Sequence, residues 1–279
     1  GARALLEGDV AQAIAAKVQN HPSNPGQLTV ADLRSYQAQK REPICHPLQA
    51  QGRDYRVCGF PPPSSGAIAI GQILGLLQRT GADALPQHNG LPAADWLHLY
   101  SEAARLAFAD RAQYLGDPDF VPAPTGGWMS LLAPDYLSER ARLINSTPGA
   151  APMPNAPAGQ PGGVQTSFAP MLDQPEYGTS HISIVDGQGH ALAMTSTIED
   201  QFGARLLVSP NGLSGGFLLN NELTDFSFAP TDAAGRPVAN RVQPGKRPRS
   251  SMAPTLVFDG PTGELLMSAG SPGGALIIH

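Results

Sequence analysis

Two threonines near the middle of the chain have the residue types and spacing for nucleophilic chemistry. In the stretch GTSHISIVDGQGHALAMTST (178–197), apolar side chains recur at 182, 184, 192 and 194, while Thr179, Ser183, Thr195 and Thr197 are small and polar. Alternation with a period of two predicts strands with one face on the core and the other face polar. With Gly187-Gln188-Gly189 as a three-residue hairpin loop, Thr179 falls opposite Thr197. Directly opposed residues hold their Cβ atoms about 4.5–5.5 Å apart, so the two hydroxyls are expected to hydrogen-bond across the ladder. A slip of one residue destroys the pairing.

By type alone, a Thr–Thr pair is ordinary sheet decoration. Its location is less ordinary, because Thr179 follows a glycine and a long irregular stretch. Were the chain cut before it, Thr179 would carry its own base: an α-amine titrates near roughly 7.7–8.0, and slight burial keeps it neutral at pH 7. Other chemistries find less support. None of the seven histidines has metal-ligand spacing, and His181 and His190 read as strand residues. Gly212-Leu213-Ser214-Gly215 lacks the last spacer of a nucleophile elbow. The glycines at 273 and 274 have no following Lys, which argues against a phosphate loop.

The elements that must position these residues follow from composition and period. At 279 residues and 41% hydrophobic, the chain can bury a sizeable core. Its net charge is −5 with 15% charged residues, unlike the basic balance of a nucleic-acid binder. The longest apolar run, 67–77, is interrupted by Gly71, Gln72 and Gly75 and is too short to span a bilayer. Opening at Gly1 without a charged-then-apolar leader reads as a mature or trimmed protein. Helical spacing covers 2–19, 67–78, 95–114 and 135–144, and Thr29 with Asp32 resembles a capping box for a short helix to Tyr36. Strands are expected at 43–48, 55–60, 181–185, 190–197, 255–258 and 265–269. If Gln51-Gly52 is the first hairpin's turn, Cys45 faces Cys58. That pair is either a disulfide in an oxidising compartment or two thiols in a reducing one. Residues 147–178, crowded with Pro, Gly and Ala, read as a mobile connector outside the packed core. Helices first and strands later give an α+β chain with a candidate processing site at the seam.

The segments TSHISIVD (179–186), LLNNELTDFS (218–227), KRPRSSMAPT (246–255) and GSPGG (270–274) together resemble the small-subunit start of the γ-glutamyltransferases. Upstream, LTVADLRSY (28–36), FPPPSSGAIAIGQIL (60–74) and FADRAQYLGDPDFV (108–121) agree in order. The resemblance implies a four-layer αββα sandwich of the N-terminal-nucleophile hydrolases, with 1–178 the end of a large subunit and 179–279 the start of a small one, both cut from one precursor. It implies autocleavage between Gly178 and Thr179, Thr179 as nucleophile, and Thr197 as its hydrogen-bonding partner. Glu222 and Asp225 match acceptors for a substrate α-amine, and Ser250 and Ser251 match hydroxyls for its α-carboxylate. Gly273 and Gly274 match an oxyanion hole, where a missing Cβ lets backbone donors approach. Asp110-Arg111 resembles a further family signature and reads as structural. The expected substrate is a γ-glutamyl amide such as glutathione, with an amine or water as acceptor. No metal or organic cofactor is implied, and the expected location is periplasmic or extracellular.

The chain departs from the pattern in two places. Glu199, in the substrate-binding set, stands where many of these transferases carry Asn. The stretch from Asp225 to Ser250 has no Tyr and is shorter than a lid-bearing version. Both point to an open, lidless subgroup that includes acylases of bulkier amides, in which hydrolysis competes with transfer. The chain is expected to start inside the large subunit and to stop soon after the glycine pair, with the upstream carboxylate-clamping arginine outside it. A glutaryl-type acylase and a non-cleaving, non-catalytic homologue remain as alternatives.

Overall fold

Glycine and proline partition the helices much as the spacing predicts, with one break. The computed structural model describes residues 2–163, 166–210 and 214–279. The helix expected over 2–19 is two, α1 (Ala2–Leu6) and α2 (Asp9–Gln19), because Gly8 takes an extended backbone between them. α3 (Val30–Ser35) carries the expected capping box. The Thr29 hydroxyl accepts from the Asp32 N–H at 3.2 Å, and the Asp32 carboxylate accepts from the Thr29 N–H at 2.8 Å. β1 (Ile44–Ala50) and β2 (Arg53–Gly59) turn at Gln51-Gly52 with Cys45 opposite Cys58. The two sulfurs are bonded, with Cα atoms 4.0 Å apart.

The residues that interrupt the apolar run of α4 (Gly66–Leu77) have packing reasons. A Cβ at Gly75 would come within 2.7 Å of the Leu137 side chain, and Gln72 donates to Asp110 at 2.7 Å. After a two-residue ladder, β3 (Gln87–His88) with β4 (Leu91–Pro92), α5 (Ala94–Tyr114) packs along α4. α6 (Pro134–Ala141) closes the same core through Leu137 and Ala141, joining Ile73, Leu76, Leu99, Ala103 and Leu106. It stops short of residue 144, and the Ile144 N–H closes a final turn on the Ala141 carbonyl at 3.0 Å.

The described residues of the 147–178 segment are irregular apart from short turns, and most are exposed or half-buried, but the segment is anchored to the fold at several points. Ala169 and Met171 are buried with Val238. Tyr114 donates to the Gly159 carbonyl at 2.6 Å, and Arg140 donates to the Pro157 carbonyl at 2.6 Å. The segment lacks period because its backbone groups bond to helix side chains instead of to a ladder.

β5 (Ser180–Val185) and β6 (Ala191–Ser196) form the hairpin, in the register set by the three-residue loop. Its apolar face is not core, contrary to expectation. Ile182, Ile184, Leu192 and Met194 are all exposed, Ile184 by 52%, because the helices of this chain pack at the β1–β2 end of the fold. A second two-residue ladder joins β7 (Leu207–Val208) and β8 (Phe217–Leu218). Of the stretch set aside as a nucleophile elbow, Gly212 and Leu213 lie outside the described residues. β9 (Thr255–Asp259) and β10 (Leu265–Ala269) complete an antiparallel sheet of order β1-β2-β9-β10. β2, from before Gly178, is thus paired with β9, from after it. The hairpin rests beside β10, with the Ser268 hydroxyl donating to the Leu192 carbonyl at 3.0 Å. Among the described residues, no helix is long and apolar enough to cross a membrane.

Candidate functional site

The β5–β6 register carries Thr179 and Thr197 to facing ends of the two strands, just beyond the last paired residues, Ser180 and Ser196. The hydroxyls do not bond each other, as the ladder arithmetic suggested. Each donates to the Gly178 carbonyl oxygen, at 2.6 Å from Thr179 and 2.6 Å from Thr197. The Thr197 hydroxyl in turn accepts from the Glu199 N–H at 2.8 Å, which fixes its rotor so that its proton points at the carbonyl. Two donors on one carbonyl oxygen polarise that peptide bond and could hold negative charge developing there. Gly178 lies flat against the following turn, since a Cβ on it would come within 2.8 Å of the Glu199 carbonyl. Glu199 is buried with φ +73°, a conformation that favours Gly or Asn over Glu.

Around this bond lies a small cleft lined by Thr179, Thr197, Glu199, Glu222, Asp225, Ser250, Ser251 and Gly274, together with Glu176, Tyr177, Met252 and Ile277. Eight of the sequence-derived residues therefore meet in one place. Gly178 contributes the carbonyl, and Gly273 sits behind Gly274 without lining the cleft. Glu222 and Asp225 come from one 3-10 turn, Glu222–Asp225. Burial, with Glu199 nearby, raises the Glu222 carboxyl above its ordinary range. Burial, followed by the charges of Glu222 and Glu176, pushes Asp225 up to about 8. Among the described residues no Lys or Arg forms an ion pair with either carboxylate, and an ammonium placed there would let both ionise.

Ser250 and Ser251 are positioned by the turn before α4. Ser65 donates from its N–H and its hydroxyl to the Ser250 carbonyl, each at 2.8 Å, and the Ser250 N–H donates to the Pro63 carbonyl at 3.0 Å. That contact explains why PPPSSG and KRPRSS matter to each other. Gly273 and Gly274 open a short 3-10 helix, Gly274–Ile278, with φ of +133° and +56°. A Cβ on Gly274 would overlap the Glu176 carbonyl oxygen, so only glycine fits.

The charged cluster of Glu176, Arg111 and Arg249 escaped the sequence reading. The Glu176 carboxylate accepts from Arg111 at 3.1 Å and from the Ser251 hydroxyl, and it lies 3.7 Å from Arg249. Burial opposes its charge, but Arg111, Ser251 and Arg249 outweigh that and hold its pKa below the usual carboxylate range. Asp110-Arg111 is structural only in its first member. Asp110 points into the helical core, whereas Arg111 reaches Glu176 at the edge of the cleft. The one available signal was a second arginine directly before Ser250 in KRPRSS. Among the described residues, no group of three or more His, Cys, Asp or Glu is arranged to hold a metal ion.

The glutathione hydrolase proenzyme of Bacillus subtilis (strain 168) is 37% identical over 286 residues, covering 100% of this chain and 43% of the relative. The acylase ACY 1 proenzyme of Pseudomonas sp. (strain V22) is 32% identical over 273 residues, covering 98% of this chain and 42% of the relative. The cephalosporin acylase of Bacillus halodurans shares the fold with a TM-score of 0.69 at 22% identity, over 99% of this chain and 42% of its own. The chain thus spans under half the length of the curated relatives it matches. The family model described as gamma-glutamyltranspeptidase matches residues 1–279 throughout, and the chain belongs to that family.

Proposed function

We propose that this chain is the central part of a self-cleaving amidohydrolase acting on γ-glutamyl amides such as glutathione. The observation that carries the reading is the convergence of the Thr179 and Thr197 hydroxyls on the Gly178 carbonyl oxygen, each at 2.6 Å. In maturation the Thr179 oxygen adds to the Gly178 carbonyl carbon while Thr197 steadies the oxyanion. The C–N bond breaks and an ester forms, leaving the nitrogen of Thr179 as a free amine. Water then hydrolyses the ester, giving a Gly178 carboxylate and restoring the hydroxyl. The β2–β9 pairing would keep the two pieces together in one sheet, within the four-layer αββα frame expected of the whole protein.

In turnover the Thr179 amine takes the proton of its own hydroxyl, which attacks the substrate amide and forms an acyl-enzyme. The Gly273 and Gly274 N–H groups would hold the oxyanion. Glu222 and Asp225 would take the α-amine, Ser250 and Ser251 the α-carboxylate, and Glu199 would shape the wall between them. Water or an amine then removes the acyl group. The Cys45–Cys58 bridge supports a periplasmic or extracellular location, where disulfides persist.

A glutaryl-type acylase is the second reading, favoured by Glu199 and by the absence of Tyr between Asp225 and Ser250. The two acyl groups differ by the amine that Glu222 and Asp225 would bind. Assay of the full-length enzyme on γ-glutamyl and glutaryl anilides separates them, and a preference for γ-glutamyl is expected. Thr179→Ala should remove turnover on both; surviving activity would refute the assigned nucleophile.

A further inference from the structure

Arg111 and Arg249 are only 5% and 4% exposed and stand behind the cleft, where both guanidinium groups face Glu176 of its lining. Their shared counterion is Glu176, which stands on the segment leading into the Gly178–Thr179 bond. Arg111 is otherwise well held, donating to Ser65 at 2.9 Å and to Ser251. Arg249 is held less: its Nη1 donates to the Arg111 carbonyl at 3.4 Å, its Nε is buried without a hydrogen-bond partner among the described residues, and its nearest carboxylate oxygen is at 3.7 Å, beyond hydrogen-bonding distance. Burial and the neighbouring Arg111 lower its pKa to about 9, so its charge is already strained with Glu176 in place. The Glu176 backbone also fills the space over Gly274.

We infer that Arg111, Arg249 and Ser251 form a carboxylate-binding subsite that Glu176 fills as an internal ligand in the uncut chain, and that passes to the carboxylate of the acyl substrate once the segment ending at Gly178 withdraws. The physical reason is charge balance. If Glu176 leaves and nothing replaces it, two guanidinium groups remain buried side by side without a counterion, which is strongly unfavourable. A small dicarboxylic acyl chain supplies the missing charge at the position that Glu176 gives up. Ser251 already bonds the internal carboxylate, and the unpartnered Nε of Arg249 offers a donor that Glu176 does not reach. The uncut segment is thus a self-inhibitor by mimicry: it places a carboxylate where the substrate's would go. This deepens the function proposed above and rests on it for the identity of the acyl chain.

The test uses the Thr179→Ala chain, which has no hydroxyl with which to cut, titrated with glutarate and with the neutral glutaramide. With Glu176 present, little glutarate binding is expected. Adding Glu176→Ala should tighten glutarate binding at least tenfold without affecting glutaramide, and adding Arg249→Gln to that protein should abolish the gain. Equal binding with and without Glu176, or a gain that survives Arg249→Gln, overturns the inference. If the Glu176→Ala protein does not fold in plain buffer, refolding it with glutarate should restore the folded yield and refolding with glutaramide should not; rescue by neither, or equally by both, also overturns it. Because none of these proteins can cut, the outcome is independent of whether Thr179 is the nucleophile.

Discussion

Two buried clusters of charge lie on neighbouring residues of α5 and are built on opposite plans. Asp110 is 1% exposed and accepts four hydrogen bonds: from Gln72 and Tyr136 at 2.7 Å each, from the Gly159 N–H at 2.8 Å, and from Arg140 at 3.3 Å. One residue on, Arg111 pairs with Glu176 at the edge of a cleft where Glu176, Glu199, Glu222 and Asp225 gather, and Arg249 stands beside it. The first cluster bonds its carboxylate on every side, although the Arg140 Nε has no partner among the described residues, and it ties the irregular 147–178 segment to α4 and α6. In the second, Glu222 and Asp225 share one turn, and among the described residues neither forms an ion pair with a Lys or Arg. A buried carboxylate whose donors all come from within the fold is architecture; a pair of buried carboxylates without a cation marks a place where a ligand belongs.

The largest effect is expected where the carboxylate is bonded on every side. Asp110→Ala strands Arg140 and removes the acceptor for three other donors, and should lower unfolding free energy by about 3–5 kcal/mol in urea titration. A loss under about 1 kcal/mol would break the distinction, since Asp110 would then be no better supported than a surface charge.

In the cleft the corresponding change should behave differently. Asp225 titrates in the folded chain near about 8, whereas an unfolded Asp titrates near roughly 3.9. The folded state therefore holds a proton that the unfolded state releases. This group's contribution is fully present below the unfolded value and is lost as pH rises towards about 8. Asp225→Asn should flatten that fall in stability between pH 4 and 8, measured by urea unfolding at several pH values. An unchanged slope would show that the carboxylate is not held in its neutral form. The smallest effect belongs to an exposed, satisfied network. Thr29→Ala removes the α3 cap and should cost about 1 kcal/mol, well below Asp110→Ala in the same assay.

How far the sequence could be read depended on the range of the interaction. The facing of Thr179 and Thr197, the Cys45–Cys58 pairing and the Thr29–Asp32 box all follow from turn length or from i,i+3 geometry, and each is in place. Motif resemblance added the Glu222–Asp225 turn, Ser251 and Gly274, three places separated in sequence that converge only through the fold. The role of Glu176 was hidden for a physical reason. It sits in a stretch without period, and its partners Arg111 and Ser251 are 65 and 75 residues away. Alternation at 182, 184, 192 and 194 separated the two faces of the hairpin correctly. It could not say what covers the apolar face, because period distinguishes faces and not their neighbours.

The account depends most on the bond between Gly178 and Thr179. Intact-mass analysis with N-terminal sequencing of active full-length enzyme tests it directly. The prediction is two fragments, the second beginning with a free Thr179, and a single uncut species for the Thr179→Ala variant. Active enzyme in which that bond is whole, or in which the Thr179 amine is blocked and turnover continues, would contradict the proposed mechanism.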